Sequence, residues 1–205
     1  MSGAISIPLA FLGLFSNGAQ PKWWFALLAF IALWVCVLRM AYGNFPKFRL
    51  SCGTNIPGCA VPNDNHTLKF LRVCVQTTCM KEVENCLGHL TKIEKNGEII
   101  FDHESRELPF APSTSSDSLA KTVFPRTPFY LDVLAIDNRR RLIYIATKGG
   151  CAANDKSGKY IFERNGEYTL HVSVSGKGVG TSSIRLRFNW QGNPETASLE
   201  QVLPS

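Results

Sequence analysis

A chain of 205 residues, 45% hydrophobic and 19% charged, has the composition of a folded protein rather than an intrinsically disordered one, and its length suits one domain with an appendage. The formal net charge of +6 is spread along the chain instead of gathered into a stripe of Lys and Arg, which argues against a nucleic-acid partner. No acidic residue precedes Asp64, and Lys22 and Arg39 are the sole basic residues among the first 44.

Within residues 1–22, Ile5 to Phe15 (ISIPLAFLGLF) is apolar but short and contains Pro8 and Gly13. Met1 to Ala4 offer no basic side chain, so a cleaved secretory signal is not expected. The segment reads either as a short first span, with Asn17 to Pro21 turning a helical hairpin, or as an interfacial stretch. The turn residues favour the hairpin.

Residues 23–42 form the expected transmembrane helix. Trp23 to Leu38 carries no charge, and Met40, Ala41 and Tyr42 extend the run past Arg39. At ~1.5 Å per residue, roughly 20 residues reach the ~30 Å thickness of a bilayer's hydrocarbon core. Trp23, Trp24 and Tyr42 stand where interfacial aromatics belong, Trp34 lies inside the span, and the Arg39 stem is long enough to reach the headgroups. The lipid bilayer is therefore an expected partner. Lys22 on one side, against Arg39, Lys47 and Arg49 on the other, places the C-terminal domain in the cytoplasm.

Residues 43–66 read as a linker. With Cys36 in the span, the remaining cysteines are Cys52, Cys59, Cys74, Cys79, Cys86 and Cys151. In an oxidising compartment they would form disulfides, Cys52–Cys59 being the most natural local bridge, and Asn65-His66-Thr67 would be a glycosylation sequon. In a reducing one they are small hydrophobes or free thiols. Their gaps do not match the closely paired thiolates of zinc sites, so no metal is expected.

Residues 67–190 are dominated by period-two alternation, the mark of half-buried strands. Leu68 to Thr77 and Cys86 to Lys95 are strands, and Asn96-Gly97 turns the chain into Glu98 to Phe101. Phe129 to Ile136 and Leu142 to Thr147 make a hairpin around Asp137 to Arg141. Tyr168, Leu170, Val172 and Val174 share one face, as do Ile184, Leu186, Phe188 and Trp190 in the next strand, with Ser175 to Ser183 as a glycine-rich connection. Pieces near 48–52 and 160–163 complete the sheets. Seven to nine short strands predict a mainly β domain, an antiparallel sandwich. Ala111 to Pro128 and Gly149 to Gly158 read as long loops, and residues 191–205 as a flexible tail.

The segment GEYTLHVSV, beginning at Gly166 with a Tyr near its start, resembles the late strand of immunoglobulin-like domains. LRVCV, ENCLGHLTKIEKNG and the short apolar N-terminal segment resemble uncharacterised bacterial membrane-anchored proteins with such a domain. The resemblance covers residues 68–101 and 166–190. It implies an immunoglobulin-like sandwich and no activity. The Cys…Trp…Cys pattern of antibody domains is missing, since Trp190 lies in the last strand.

Gly176 to Thr181 departs from the phosphate-loop spacing and precedes a strand, so it reads as a hairpin connection. No Ser or Cys stands in a recognisable nucleophile motif beside His66, His89, His103 or His171, so no catalytic residue and no cofactor is expected. The basic candidates for recognition or lipid contact are Arg139, Arg140 and Arg141 at a turn tip, and Arg185 and Arg187 on one sheet face with His171 beside them. The plainer reading of both is solvated surface. The expected function is a membrane-anchored, non-enzymatic module that recognises a protein. Its alternatives are an extracytoplasmic, disulfide-stabilised structural or envelope protein and a redox or metal sensor using Cys74, Cys79 and Cys86.

Overall fold

The structure is a computed structural model and describes residues 23–43, 47–63, 65, 67–102, 105–111, 120–147, 150–154, 160–162 and 165–202. The chain divides into two compact units, with the boundary after Phe45. The first holds one helix, α1 (Trp23–Gly43). Its described side chains run from residue 26 to residue 38, and Leu27, Leu28, Phe30, Ile31, Leu33 and Trp34 among them are exposed.

Among the described residues no helix is long and apolar enough to cross a membrane. The transmembrane assignment of residues 23–42 is corrected accordingly, and the integral-membrane localisation and cytoplasmic orientation built on it go with it. A span needs a helix that is both about 30 Å long and apolar along that length, and no helix among the described residues meets both demands. Of the aromatic and basic markers assigned to that span, Trp34 is half exposed and packs edge-on to Phe30. The side chains of Trp23, Trp24, Arg39 and Tyr42, and the whole short segment at residues 5–15, lie outside the described residues.

The second unit contains fourteen strands among its described residues: β1 (Phe48–Ser51), β2 (Ala60–Pro62), β3 (Leu68–Thr77), β4 (Val83–Lys95), β5 (Glu98–Phe101), β6 (Arg106–Leu108), β7 (Phe110–Ala111), β8 (Lys121–Val123), β9 (Phe129–Asp137), β10 (Leu142–Thr147), β11 (Gly150–Ala152), β12 (Gly166–Gly176), β13 (Val179–Trp190) and β14 (Leu199–Gln201). They form two sheets. One runs β1-β3-β9-β10-β11, with β2 on β3 and β7 on β9; the other runs β14-β13-β12-β4-β5, with β6 and β8 on β4. Every strand pairing is antiparallel.

The β12–β13 hairpin follows from alternation. Tyr168, Leu170, Val172 and Val174 are all fully buried, and opposite them Ile184, Leu186, Phe188 and Trp190 enter the same core. The strands run further than their apolar residues do. Ser, Thr and Gly from 175 to 183 continue the ladder to a tight turn at Lys177-Gly178, where Gly178 takes φ +74°. Gly tolerates that left-handed conformation because it has no Cβ. The predicted glycine-rich loop is thus mostly strand. In the β9–β10 hairpin, Asp137 Oδ1 accepts the backbone N–H groups of Arg139 and Arg140, each at 2.8 Å, closing the arginine turn locally.

The stretches assigned to linker and tail also belong to the sheets. β1 pairs with β3 from Cys74 to Thr77 and β2 pairs with it from Lys69 to Leu71, so both lie in succession along one edge. β14 adds to β13. Within the long loop predicted at 111–128, Lys121 to Val123 forms β8 against β4, while residues 112–119 lie outside the described residues.

A single core joins the two sheets. At one end Phe162, Tyr168, Phe188 and Trp190 pack ring against ring, with centroids from 5.1 to 6.2 Å apart. Near the middle, Gly88 of β4 faces Leu131 of β9 so closely that a Cβ on Gly88 would stand 2.6 Å from Leu131 Cδ2. We expect Gly88→Ala to lower stability by about 1–3 kcal/mol through overpacking. Urea denaturation of the single variants and of Gly88→Ala/Leu131→Ala checks it: the double variant should lose less than the sum of the two singles, because the clash is shared.

A candidate recognition groove at the open edge of β13

Arg185, Arg187 and Asn189 of β13 face outward. Antiparallel register sets Arg185 opposite His171 of β12, and His171 opposite Lys92 of β4. Three basic residues from three strands therefore stand in one row across the outer sheet face. A β-bulge helps to make the row: the β12–β4 register shifts between His171 and Val172, leaving Thr91 as the extra residue. Thr91 Oγ1 donates to the His171 carbonyl at 3.1 Å, supplying a partner where the ladder is interrupted.

The edge beyond β13 is only partly covered. β14 pairs with Leu186, Arg187 and Phe188, and the Val202 N–H donates to the Arg185 carbonyl at 2.9 Å. Toward Ser182 the neighbour is β1 of the other sheet, whose Phe48 N–H donates to Ser182 Oγ at 3.2 Å. An open groove of about 560 Å³ lies at this seam, lined by Arg49, Thr91, His171, Ser183, Arg185 and Gln201 along with apolar neighbours. No acidic residue is among its lining residues. The nearby carboxylate, Glu94, is engaged with Lys92, and its pKa is held low by the hydrogen bond from that ammonium.

His171 is the group most sensitive to this setting. Burial pushes its pKa down, Glu94 opposes that, and Lys92 and Arg185 reinforce it. Glu94 Oε1 lies 3.3 Å from Nε2, but Nε2 has no aligned hydrogen bond. The arrangement offers cations and hydroxyl donors to an anionic ligand, with a neutral imidazole between them at ordinary pH.

Of the basic residues singled out in the sequence, Arg185 enters the groove. Arg187 turns to Glu167, Nε to Oε1 3.4 Å. Arg139, Arg140 and Arg141 are elsewhere: their turn follows Asp137, which pairs with Leu68 at one end of β3, whereas β1 starts opposite Thr77 at the other. The ten residues of β3 separate the two places by about 30 Å. Arg141 borders a second depression of about 500 Å³ with Lys69, Asn138 and residues 193–195. There Lys69 Nζ donates to the carbonyls of Pro194, Glu195 and Ala197 at 2.8 to 3.2 Å, which fastens the segment after β13. The groove also recruits Arg49, which the sequence placed in a linker, and Thr91; neither carried a motif, and register across two sheets brings them in.

The cysteines are all free thiols. Cys86 is fully buried, donates to the Val83 carbonyl at 3.2 Å, and is pushed up to about 11 by burial. Among the described residues no group of three or more His, Cys, Asp or Glu is arranged to hold a metal ion. Gly176 to Thr181 is the β12–β13 turn and its flanks.

A lowered His171 pKa has a stability consequence. The unfolded state binds the proton more tightly, so this contribution is present above the ordinary histidine range and is lost as pH falls through it toward the lower folded value. We expect thermal denaturation between about pH 7 and pH 5 to show a steeper loss of Tm for the native chain than for His171→Gln; equal slopes would contradict the assignment. No protein-family model matches the chain, and no curated protein is similar to it in sequence.

Proposed function

We propose that the β-sandwich is a non-enzymatic recognition module whose groove takes an acidic, extended segment of a partner protein. The observation that carries this reading is the union of two features at one place. A row of Lys92, His171 and Arg185, with Arg49 from the facing sheet, borders the β13 edge near Ser183, past the stretch from Arg185 to Phe188 that β14 and Val202 cover. An extended peptide can lie along the groove at this seam while its carboxylates meet the guanidinium groups.

The strand order supports a recognition fold. β1-β3-β9 packs against β13-β12-β4-β5, the order in which immunoglobulin-like sandwiches set strands A, B and E against G, F, C and C′. β10 occupies the place of strand D but follows β9 directly through the arginine hairpin. This likeness concerns architecture and lends support at the level of fold alone.

The test is a peptide selection on the full-length chain. A random peptide library should yield sequences enriched in Asp and Glu, whose binding weakens as salt rises. Arg49→Glu/Arg185→Glu should reduce their affinity by about tenfold or more. The same reversal at Arg139 and Arg140 should leave it unchanged. A selection without acidic enrichment, or equal losses from both pairs, would defeat the assignment.

A further inference from the structure

We propose that Cys52 and Cys59 are a reversible dithiol–disulfide pair that closes the excursion between β1 and β2 at its base, beside the edge of β3. The placement comes from the fold. β1 ends at Ser51 and β2 begins at Ala60, and the chain between them leaves β3 and returns to it. Cys52 is the first residue of that excursion and Cys59 the last. Two tight turns, Ile56 N–H to Gly53 O and Cys59 N–H to Ile56 O, both 3.2 Å, fold the loop back on itself. Its closing end is tied by the Arg72 N–H donating to the Cys59 carbonyl at 2.7 Å. Both cysteines are buried in the core cluster and meet at the same residue of β3: the Cys52 thiol donates to the Arg72 carbonyl at 3.2 Å, and the Arg72 N–H donates to the Cys59 carbonyl.

The two sulfurs are unequal. The hydrogen bond from Cys52 lowers the pKa of Cys59, with help from backbone N–H groups and the Arg72 guanidinium, while Cys52 is pushed up by the same contact and by burial. Cys59 is therefore the attacking thiolate and Cys52 the resolving thiol. The oxidant is a small-molecule disulfide. Cys59 Sγ attacks one of its sulfurs, forming a mixed disulfide and releasing a thiolate that takes up the proton Cys59 had lost. Cys52 then gives up its proton and attacks Cys59 Sγ; the Cys52–Cys59 bond forms, and the second small thiolate departs and is protonated. Two protein thiols are oxidised by two electrons and one small disulfide is reduced to two thiols.

Cys74 is the internal rival, since the charge of Cys59 is felt at Cys74, which is buried too. Cys86, held deep in the core with a raised pKa, is expected to stay reduced. The experiment equilibrates the full-length chain with graded ratios of reduced and oxidised glutathione, quenches by alkylation and maps the cysteine peptides. The expected result is a Cys52–Cys59 link that forms and reverses with the ratio, persists in Cys74→Ser, and is replaced in Cys52→Ser by a glutathione adduct on Cys59. A Cys59–Cys74 link, or full alkylation of both residues at every ratio, would overturn the proposal. A second readout needs no variant: limiting iodoacetamide on the native chain should label Cys59 ahead of Cys52, and the reverse order would also overturn it.

Discussion

The contact between Gly88 and Leu131 sets how near the two sheets come. β4 alternates Cys86, Gly88 and Leu90 toward the core, and the missing side chain at Gly88 admits the Leu131 side chain from β9. β4 is also the strand on which β5, β6, β8 and β12 all converge, and β9 is the strand that joins β3 to β10. A change of spacing at this one place would therefore be passed to nearly every pairing in both sheets. The buried row Leu131 to Ile136 shows how completely β9 is enclosed. Its Asp132 is tolerated there because Arg72, its register partner, supplies the opposing charge that burial demands. Even so, burial is the larger effect and raises the Asp132 pKa.

The long strands were legible because their burial is one-sided. Tyr168 to Val174 and Ile184 to Trp190 alternate cleanly, and the structure buries the expected face of each. The short strands were only partly legible. The piece expected near 48–52 is β1, but β2 and β14 hold three residues each, Pro62 among them, too few for a period to show. Their existence depends on β3 and β13 offering edges, a tertiary fact. The stretch from Ser175 to Ser183 misled for the opposite reason, since its small residues look like a loop while their backbone continues the ladder.

The anchor reading at residues 23–42 came from an uncharged apolar run of bilayer length with aromatics at its ends, and no helix among the described residues is long and apolar enough to cross a membrane. The groove was half legible. Alternation put Arg185, Arg187 and His171 on one face, but pairing partners decided the rest: Glu167 takes Arg187, and the bulge at Thr91 brings Lys92 into line with His171. Arg49 stood in a segment with no pattern of its own.

The far edge of the second sheet is built from three pieces. β5 pairs with Ile93 to Lys95, β6 with Gly88 to Leu90, and β8 with Val83 and Cys86, and each contributes only three or four residues. Ile99 and Ile100 are exposed on that edge, a combination that on one continuous strand would invite another copy to add its own backbone. Here the run of free amides and carbonyls is broken before it reaches the length of an ordinary strand. Self-association through that side is thus discouraged by segmentation instead of by charge, and the molecule can carry an apolar border without becoming a template for its own aggregation.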